Sequence, residues 1–315
     1  MRSGWDENAT HLSFKSSPPG GHKQWKMSWE LDRENDWFTR SLTHYHVDFN
    51  NFILVHNGAY LVIDEGYNRT SKAEVHNLVT VDGTGCVGEK IWETGSISDP
   101  EIFDLNSKGI FNVWRDVPEE AIAEIEAFSS GDGYTSVTGE SHRLYYPEMQ
   151  LTRNARHIIN SEFGYFILLD ELESDLEHTY TWRIHGEKYA KQVSADKFEI
   201  QNGSGALNIF TAFPEARDTK ISETLIEEIM TPQRPNDKRR IKLKTFMVEN
   251  STPERNTYFL NVFQPKDALD TDPANDVSVR RLKGEGCIGV EITSRDTVEI
   301  LLFSATNEIL SLIHI

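Results

Sequence analysis

The sequence predicts an all-β chain, a large antiparallel β-sandwich with one short helix. Three observations carry that expectation. The apolar runs are short and rich in Ile, Val, Phe and Tyr, most are bounded by Gly, Asn, Asp or Pro, and they recur at spacings of about 8–15 residues, as in sandwiches rather than βαβ units. In chain order, residues 50–66 (NNFILVHNGAYLVIDEG) read as two strands around His56-Asn57-Gly58, an Asn-Gly hairpin turn. LVTVDGTGCVG follows, with Asp82-Gly83 as the next turn. The single helix is expected at AIAEIEAF, opened by Pro118-Glu119-Glu120, because acidic residues in a first turn suit the helix dipole. Strand patterns then dominate: GYFILLDEL, HTYTWRIHG, KFEIQNG, LNIFTAF, RIKLKTFMVEN, TYFLNVFQP, GVEITS and TVEILLFS. TPQRPND (231–237) and the stretch from Asp267 to Asp276 read as loops.

No fixed-period repeat interrupts this pattern, so residues 1–306 are expected to form one sandwich domain, with 307–315 as a tail. The last six residues, Leu310 to Ile315, are similar to a translated sequencing adapter, which leads us to expect a native chain that continues differently. The chain has 315 residues, enough for a sizeable core. No apolar run approaches the roughly 18 residues of a membrane span, and the opening Met1-Arg2-Ser3-Gly4-Trp5-Asp6 has no signal-like apolar stretch. A formal net charge of −18 argues against nucleic acid as a partner, because phosphate contacts need clustered Lys and Arg. Cys86 and Cys287 stand alone, without a CxxC neighbour.

Chemistry concentrates between residues 44 and 77. His44 and His46 are two apart, so on a strand they leave the same face. Asp64 ends the run AYLVI, and His76 precedes LVTV. Neutral imidazole and carboxylate are both good zinc ligands, and two His with one Asp fill three tetrahedral positions and leave a fourth open. His46, Asp64 and His76 fall on neighbouring predicted strands or their ends, and the other histidine of the pair is free for chemistry.

The surrounding text carries a resemblance. RSGWDENATHLSF, HYHVDFNNFILVHNGAYLVIDEGY and VHNLVTVDGTG, in that order, resemble the heparinase II/III-like domain of polysaccharide lyases. Tyr145-Tyr146-Pro147, the arginines at 153 and 156, FILLDEL and Trp182-Arg183-Ile184-His185 fit the same pattern. The resemblance implies an antiparallel sandwich packed beside an N-terminal incomplete α/α toroid, with the substrate cleft between them. It implies β-elimination of uronic-acid-containing polysaccharide and a Zn2+ ion held by His46, Asp64 and His76. It casts His44 as catalytic, pointing into the cleft; Tyr67, just past the Asp64 turn, is either a phenol that faces the sugar or an aromatic that packs the turn. Asn50 and Asn77 are expected to hold the histidine-bearing turns, and Asp48 to orient a histidine ring or bond backbone.

For substrate contacts we single out Arg143, Arg153, Arg156 and His185, and more weakly the run Lys238 to Lys244, whose alternation reads as a solvent-facing strand. Trp5, Trp25, Trp29 and Trp37 either stack on sugars or fill the core. Met1 stands almost on the RSGW motif, so the toroid is expected upstream of this piece, and the piece alone is expected to have little lyase activity. The resemblance also implies a periplasmic or secreted enzyme. Two other classes fit the residues: a non-catalytic carbohydrate-binding or structural sandwich, and a zinc-dependent hydrolase or cupin-like enzyme that uses the HxH pair on an open metal.

Overall fold

The structure is a computed structural model that describes residues 1–35, 46–64, 73–87, 118–131, 133–187, 189–231, 234–295, 297–304 and 309–314, with backbone alone at 224–231, 234–241 and 309–314. His44, Tyr67 and Trp37 lie outside the described residues. Antiparallel sheets make up the fold, as the sequence predicts. β1 (His11–Lys15), β2 (Asn51–His56) and β3 (Ala59–Val62) form a three-stranded sheet in that order. β2 and β3 are the expected hairpin: Asn57 and Gly58 both take positive φ, 51° and 70°, as a tight two-residue turn between right-twisted strands demands. β4 (Val79–Val81) follows, and its Asp82-Gly83 turn is again left-handed.

The next strands are β5 (Glu124–Gly131), β6 (Tyr134–Glu140), β7 (Leu151–Ser161), β8 (Phe166–His178), β9 (Tyr180–Glu187) and β10 (Tyr189–Gln192). β11 (Lys197–Asn202), β12 (Gly205–Phe213), β13 (Arg217–Thr231), β14 (Arg234–Asn250) and β15 (Glu254–Asp267) come after them. The largest sheet has eight strands in the order β10-β11-β12-β15-β8-β7-β6-β5, and a four-stranded sheet runs β13-β14-β9-β4. β16 (Ser278–Gly284), β17 (Cys287–Thr293), β18 (Val298–Ser304) and β19 (Ile309–His314) make a consecutive four-stranded meander.

Strand alternation sorts the eight-stranded sheet into two buried faces. Phe166, Leu168, Phe259, Phe263, Leu207 and Ile209 point to the side where β2, β3, β4, β9 and β14 pack. Their neighbours Ile167, Leu169, Leu260 and Val262 point the other way, onto Val290, Ile292, Leu301 and Phe303 of the meander. The sandwich therefore has a third layer over part of its outer face.

Two expectations need correction. Residues 124–131 are an edge strand, not a helix: they pair with β6 through a hairpin that Gly133 closes at φ 86°, and most of their side chains are exposed, so no helical stripe is buried. The helix, α1, is instead His22–Asn35. It has no β-branched residue and follows Pro-Pro-Gly-Gly; it buries Trp25 and Ser28, one turn apart, and Trp25 donates to Glu119 O. TPQRPND is largely strand, since β14 begins at Arg234. The stretch after Asp267 is a loop as expected, containing only a 3₁₀ turn at Pro273–Asn275.

The terminal residues 309–314 pair with β18 as an edge strand. Cys86 and Cys287 are both free. Among the described residues no helix is long and apolar enough to cross a membrane.

Candidate functional site

His46 and its neighbours are irregular backbone ahead of β2, so the histidine is not strand-borne as the sequence suggested. Asn50 ends this segment in the left-handed region, φ 58°. Its amide donates to Gly139 O at 3.2 Å, Ser141 Oγ at 3.0 Å and Asn154 O at 3.1 Å, which anchors the turn to the eight-stranded sheet. Asp64 follows β3 directly, and Ile63 bridges to His185 on β9. His76 follows a 3₁₀ turn at Ala73–Val75. Three separate chain segments thus deliver His46, Asp64 and His76 to one place.

The Nδ1 of His76 lies 3.3 Å from Asp64 Oδ2. The rings of His46 and His76 have centroids 5.4 Å apart and are inclined by 64°. With metal–ligand bonds near 2.0–2.1 Å, two ligand atoms of a zinc tetrahedron stand about 3.3 Å apart, and two bound imidazole centroids about 5 Å apart. Both observed separations have that size. His76 is 1 % exposed and its Nε2 has no hydrogen-bond partner, a costly state for a buried polar atom. Burial, and then the neighbouring His76, hold the His46 imidazole below its ordinary pKa, which favours the neutral form that a metal needs. Among the described residues, however, no three His, Cys, Asp or Glu side chains converge closely enough to enclose an ion. Asp64 and His76 are paired, and His46 stands beside them without closing the triad. The donor set fits a zinc ion in residue type, and the Asp64–His76 pair in spacing.

Asparagines hold this pair in place. Asn51 donates to Asp64 Oδ2 at 2.9 Å and accepts from the Asn77 N–H at 2.9 Å. The Asn77 side chain donates to Phe52 O and Ile63 O, 2.8 and 2.9 Å, and accepts from the His185 N–H at 2.8 Å. One amide therefore ties β2, β3 and β9 together next to His76. Asn50 and Asn77 do what the sequence suggested. Asn51 was missed, although it sits at the start of the same apolar run.

Other site candidates fall elsewhere. His185 is buried, not cleft-lining: Nδ1 meets Thr245 Oγ1 at 2.8 Å and Nε2 meets His76 O at 3.2 Å. Burial and nearby His76 push its pKa down to about 3, so it is a neutral strut. Arg156 is 1 % exposed and is no surface contact for a sugar. It forms a two-pronged pair with Asp170 (2.7 and 3.0 Å), donates to Asn50 O at 2.6 Å and to Asn77 O, and lies over the Phe52 ring.

Arg153 is mostly buried among Glu126, Glu140 and Glu171 at 2.8–3.1 Å, so its charge is already engaged. Arg143 is exposed beside a cleft of about 250 Å³. Asp48 pairs with Lys15 at 2.5 Å rather than with a histidine. Lys242 and Lys244 reach Glu223 on the paired strand β13, in keeping with a solvent face. Trp25 is core, whereas Trp5 is 88 % exposed and stacks with Arg2.

Comparison with known proteins specifies the class of this sandwich. Residues 3–257 match the family described as Heparinase II/III-like, C-terminal, and the chain belongs to that family. Among solved structures it is similar to a heparan sulfate lyase, HepC, from Pedobacter heparinus (17 % identity, TM-score 0.62), over 96 % of this chain and 40 % of that one. It is also similar to a protein described as heparinase III, the BT4657 gene product, at 14 % identity and TM-score 0.61, over 96 % and 40 % of the two chains. At these identities the likeness is one of fold. The chain spans about 40 % of the length of these structures, so in them the sandwich is part of a larger chain. No curated protein matches the chain.

Proposed function

We propose that this chain is the sandwich portion of a polysaccharide lyase that cleaves uronic-acid-containing polysaccharide by β-elimination, with a structural zinc at His46, Asp64 and His76. The observation that carries the reading is the Asp64–His76 pair, with the His46 ring beside it, in a chain of the heparinase II/III-like family. The zinc, when bound, supplies a fixed positive centre that shapes the cleft floor. Everything else is asked of protein side chains. β-Elimination removes the weakly acidic C5 proton, which requires the uronate carboxylate to be neutralised and a base to stand near the proton. His44 is the residue proposed to face the sugar, as base or as donor to the carboxylate. It is two residues from His46, so fixing His46 also fixes the backbone that presents it. Tyr67 is proposed to protonate the departing glycosidic oxygen.

The remaining groups are assigned to an α/α toroid in the full-length enzyme, and secretion to the periplasm or beyond goes with that assignment. On this reading the isolated chain folds and binds metal but releases little product. The test is an absorbance assay for unsaturated uronate with the toroid-containing parent. His44→Ala is expected to lower the rate by at least 100-fold, the scale of a lost acid–base group, with zinc content unchanged. Loss of zinc in that variant would point instead to an open-metal hydrolase, and robust activity of the isolated chain would contradict the division of labour.

A further inference from the structure

The cleft beside Arg143 is separate from the His46–Asp64–His76 cluster. It is built on the β6–β7 connection, where 3₁₀ turns at His142–Leu144 and Pro147–Met149 follow each other, and its far wall is the Pro118–Ala121 segment. His142, Arg143, Tyr146, Gln150 and Glu120 give it polar and aromatic walls.

His142 is held by design of the backbone around it. Glu140 Oε1 accepts from His142 Nδ1 at 2.9 Å and from the N–H groups of His142, Ser141 and Asn154 at 2.8–3.1 Å. Burial alone would raise the Glu140 carboxyl, but the bonds from His142 and the charge of Arg153 outweigh it and keep the group ionised. A carboxylate on Nδ1 fixes the ring and leaves Nε2 as its free polar atom. Next to it, Arg143 is exposed and has no ion pair among the described residues. In a chain of net charge −18, an unpaired guanidinium is an anion-directed donor, and the oriented imidazole beside it, its Nδ1–H given to Glu140, presents Nε2 as an acceptor for a hydroxyl. Tyr146 adds an aromatic surface for a sugar ring, and Gln150 and Glu120 add partners for hydroxyl groups.

The cleft is also tied to the metal candidates. Ser141, adjacent to His142, accepts from Asn50, four residues beyond His46. Arg156 takes the carbonyls of both Asn50 and Asn77, the latter adjacent to His76. A rigid hydrogen-bonded tract thus connects the two places.

We propose that this cleft is a second saccharide subsite, which takes one uronate residue of the polymer with its carboxylate on Arg143, a ring hydroxyl donated to His142 Nε2 and its ring against Tyr146. The assignment of uronate rests on the lyase reading; the presence of an anion-directed sugar site rests on the cleft itself. It is tested on this chain by calorimetric or NMR titration with a glucuronate-containing tetrasaccharide, using wild type, Arg143→Ala, His142→Gln and His46→Ala, each checked for folding by circular dichroism. Arg143→Ala and His142→Gln are expected to weaken binding at least fivefold, and His46→Ala less than twofold. The proposal is overturned if wild type does not bind, if only His46→Ala loses binding, or if inorganic sulfate at equal concentration displaces the sugar. Activity of the toroid-containing parent is a separate readout: a parent that cleaves uronate polymers while Arg143→Ala binds normally leaves the lyase reading standing and removes this subsite.

Discussion

The two faces of the eight-stranded sheet are both buried and apolar over much of their area, yet each carries a different charged network. On the inner face Arg156 and Asp170, directly paired across β7 and β8, reach the backbone of Asn50 and Asn77 and so hold the segments that carry His46 and His76. On the outer face Ile167, Leu169, Leu260 and Val262 meet apolar side chains of the β16–β19 meander. Beyond that apolar patch, Arg153 gathers Glu126, Glu140 and Glu171. Hydrophobic contact is non-directional and tolerates small shifts, whereas a guanidinium with fixed acceptors sets positions. The Arg156 network of the inner face therefore positions the site, and the apolar contacts of the outer face support the sheet.

The largest expected effect comes from breaking the inner pair. Arg156→Met leaves Asp170 and two carbonyls buried without their donor and should cost about 3–5 kcal/mol, read as a shift in the urea midpoint. A loss below 1 kcal/mol would mean that the inner face does not depend on this charge. Next is Asn77→Ala, which strips partners from Phe52 O, Ile63 O and the His185 N–H. About 3 kcal/mol is expected from unsatisfied buried groups, together with weaker zinc retention. Unchanged retention would separate the asparagine framework from the site.

The outer network predicts an acid limb. Burial would raise the Glu171 carboxyl, but bonds from His157 and Arg153 hold it below its ordinary value of 4.5. Its stabilisation is complete above that pH and is lost as pH falls through the lower folded value. Thermal midpoints should drop below about pH 4.5, and Glu171→Gln should flatten that limb. An equally steep limb in the variant would place the acid sensitivity elsewhere. The smallest effect belongs to the apolar layer: Ile292→Val should cost about 1 kcal/mol and leave zinc affinity unaltered. A change in zinc affinity there would erase the distinction between the faces.

Much of this was legible in the sequence, for reasons that differ by residue. The Asn57-Gly58 and Asp82-Gly83 turns were readable because left-handed backbone selects those residue types. The long strands were readable because alternation over Phe166–Leu169 or Phe259–Val262 is a local property. The Asp64–His76 encounter was anticipated less from residue type and order than from the family resemblance of the surrounding text.

Arg156 was misread because its exposure depends on a partner across the sheet: it shares a face with Ile158, and only the register with Asp170 shows that the charge is buried. His185 was misread for the same reason, since Thr245 is 60 residues away. The run after Pro118 carries acidic residues that suit a helix start equally well, and only pairing with β6 decides for strand. Glu140 escaped notice because its two-residue spacing to His142 at a strand end carries no motif.

Zinc analysis of the purified chain by mass spectrometry, on wild type and His76→Ala, tests the central claim most directly. The account predicts about one zinc per wild-type chain, the count for a single His-Asp-His site, and a loss of at least tenfold in the variant. A metal-free wild type, or equal zinc in both proteins, would contradict it.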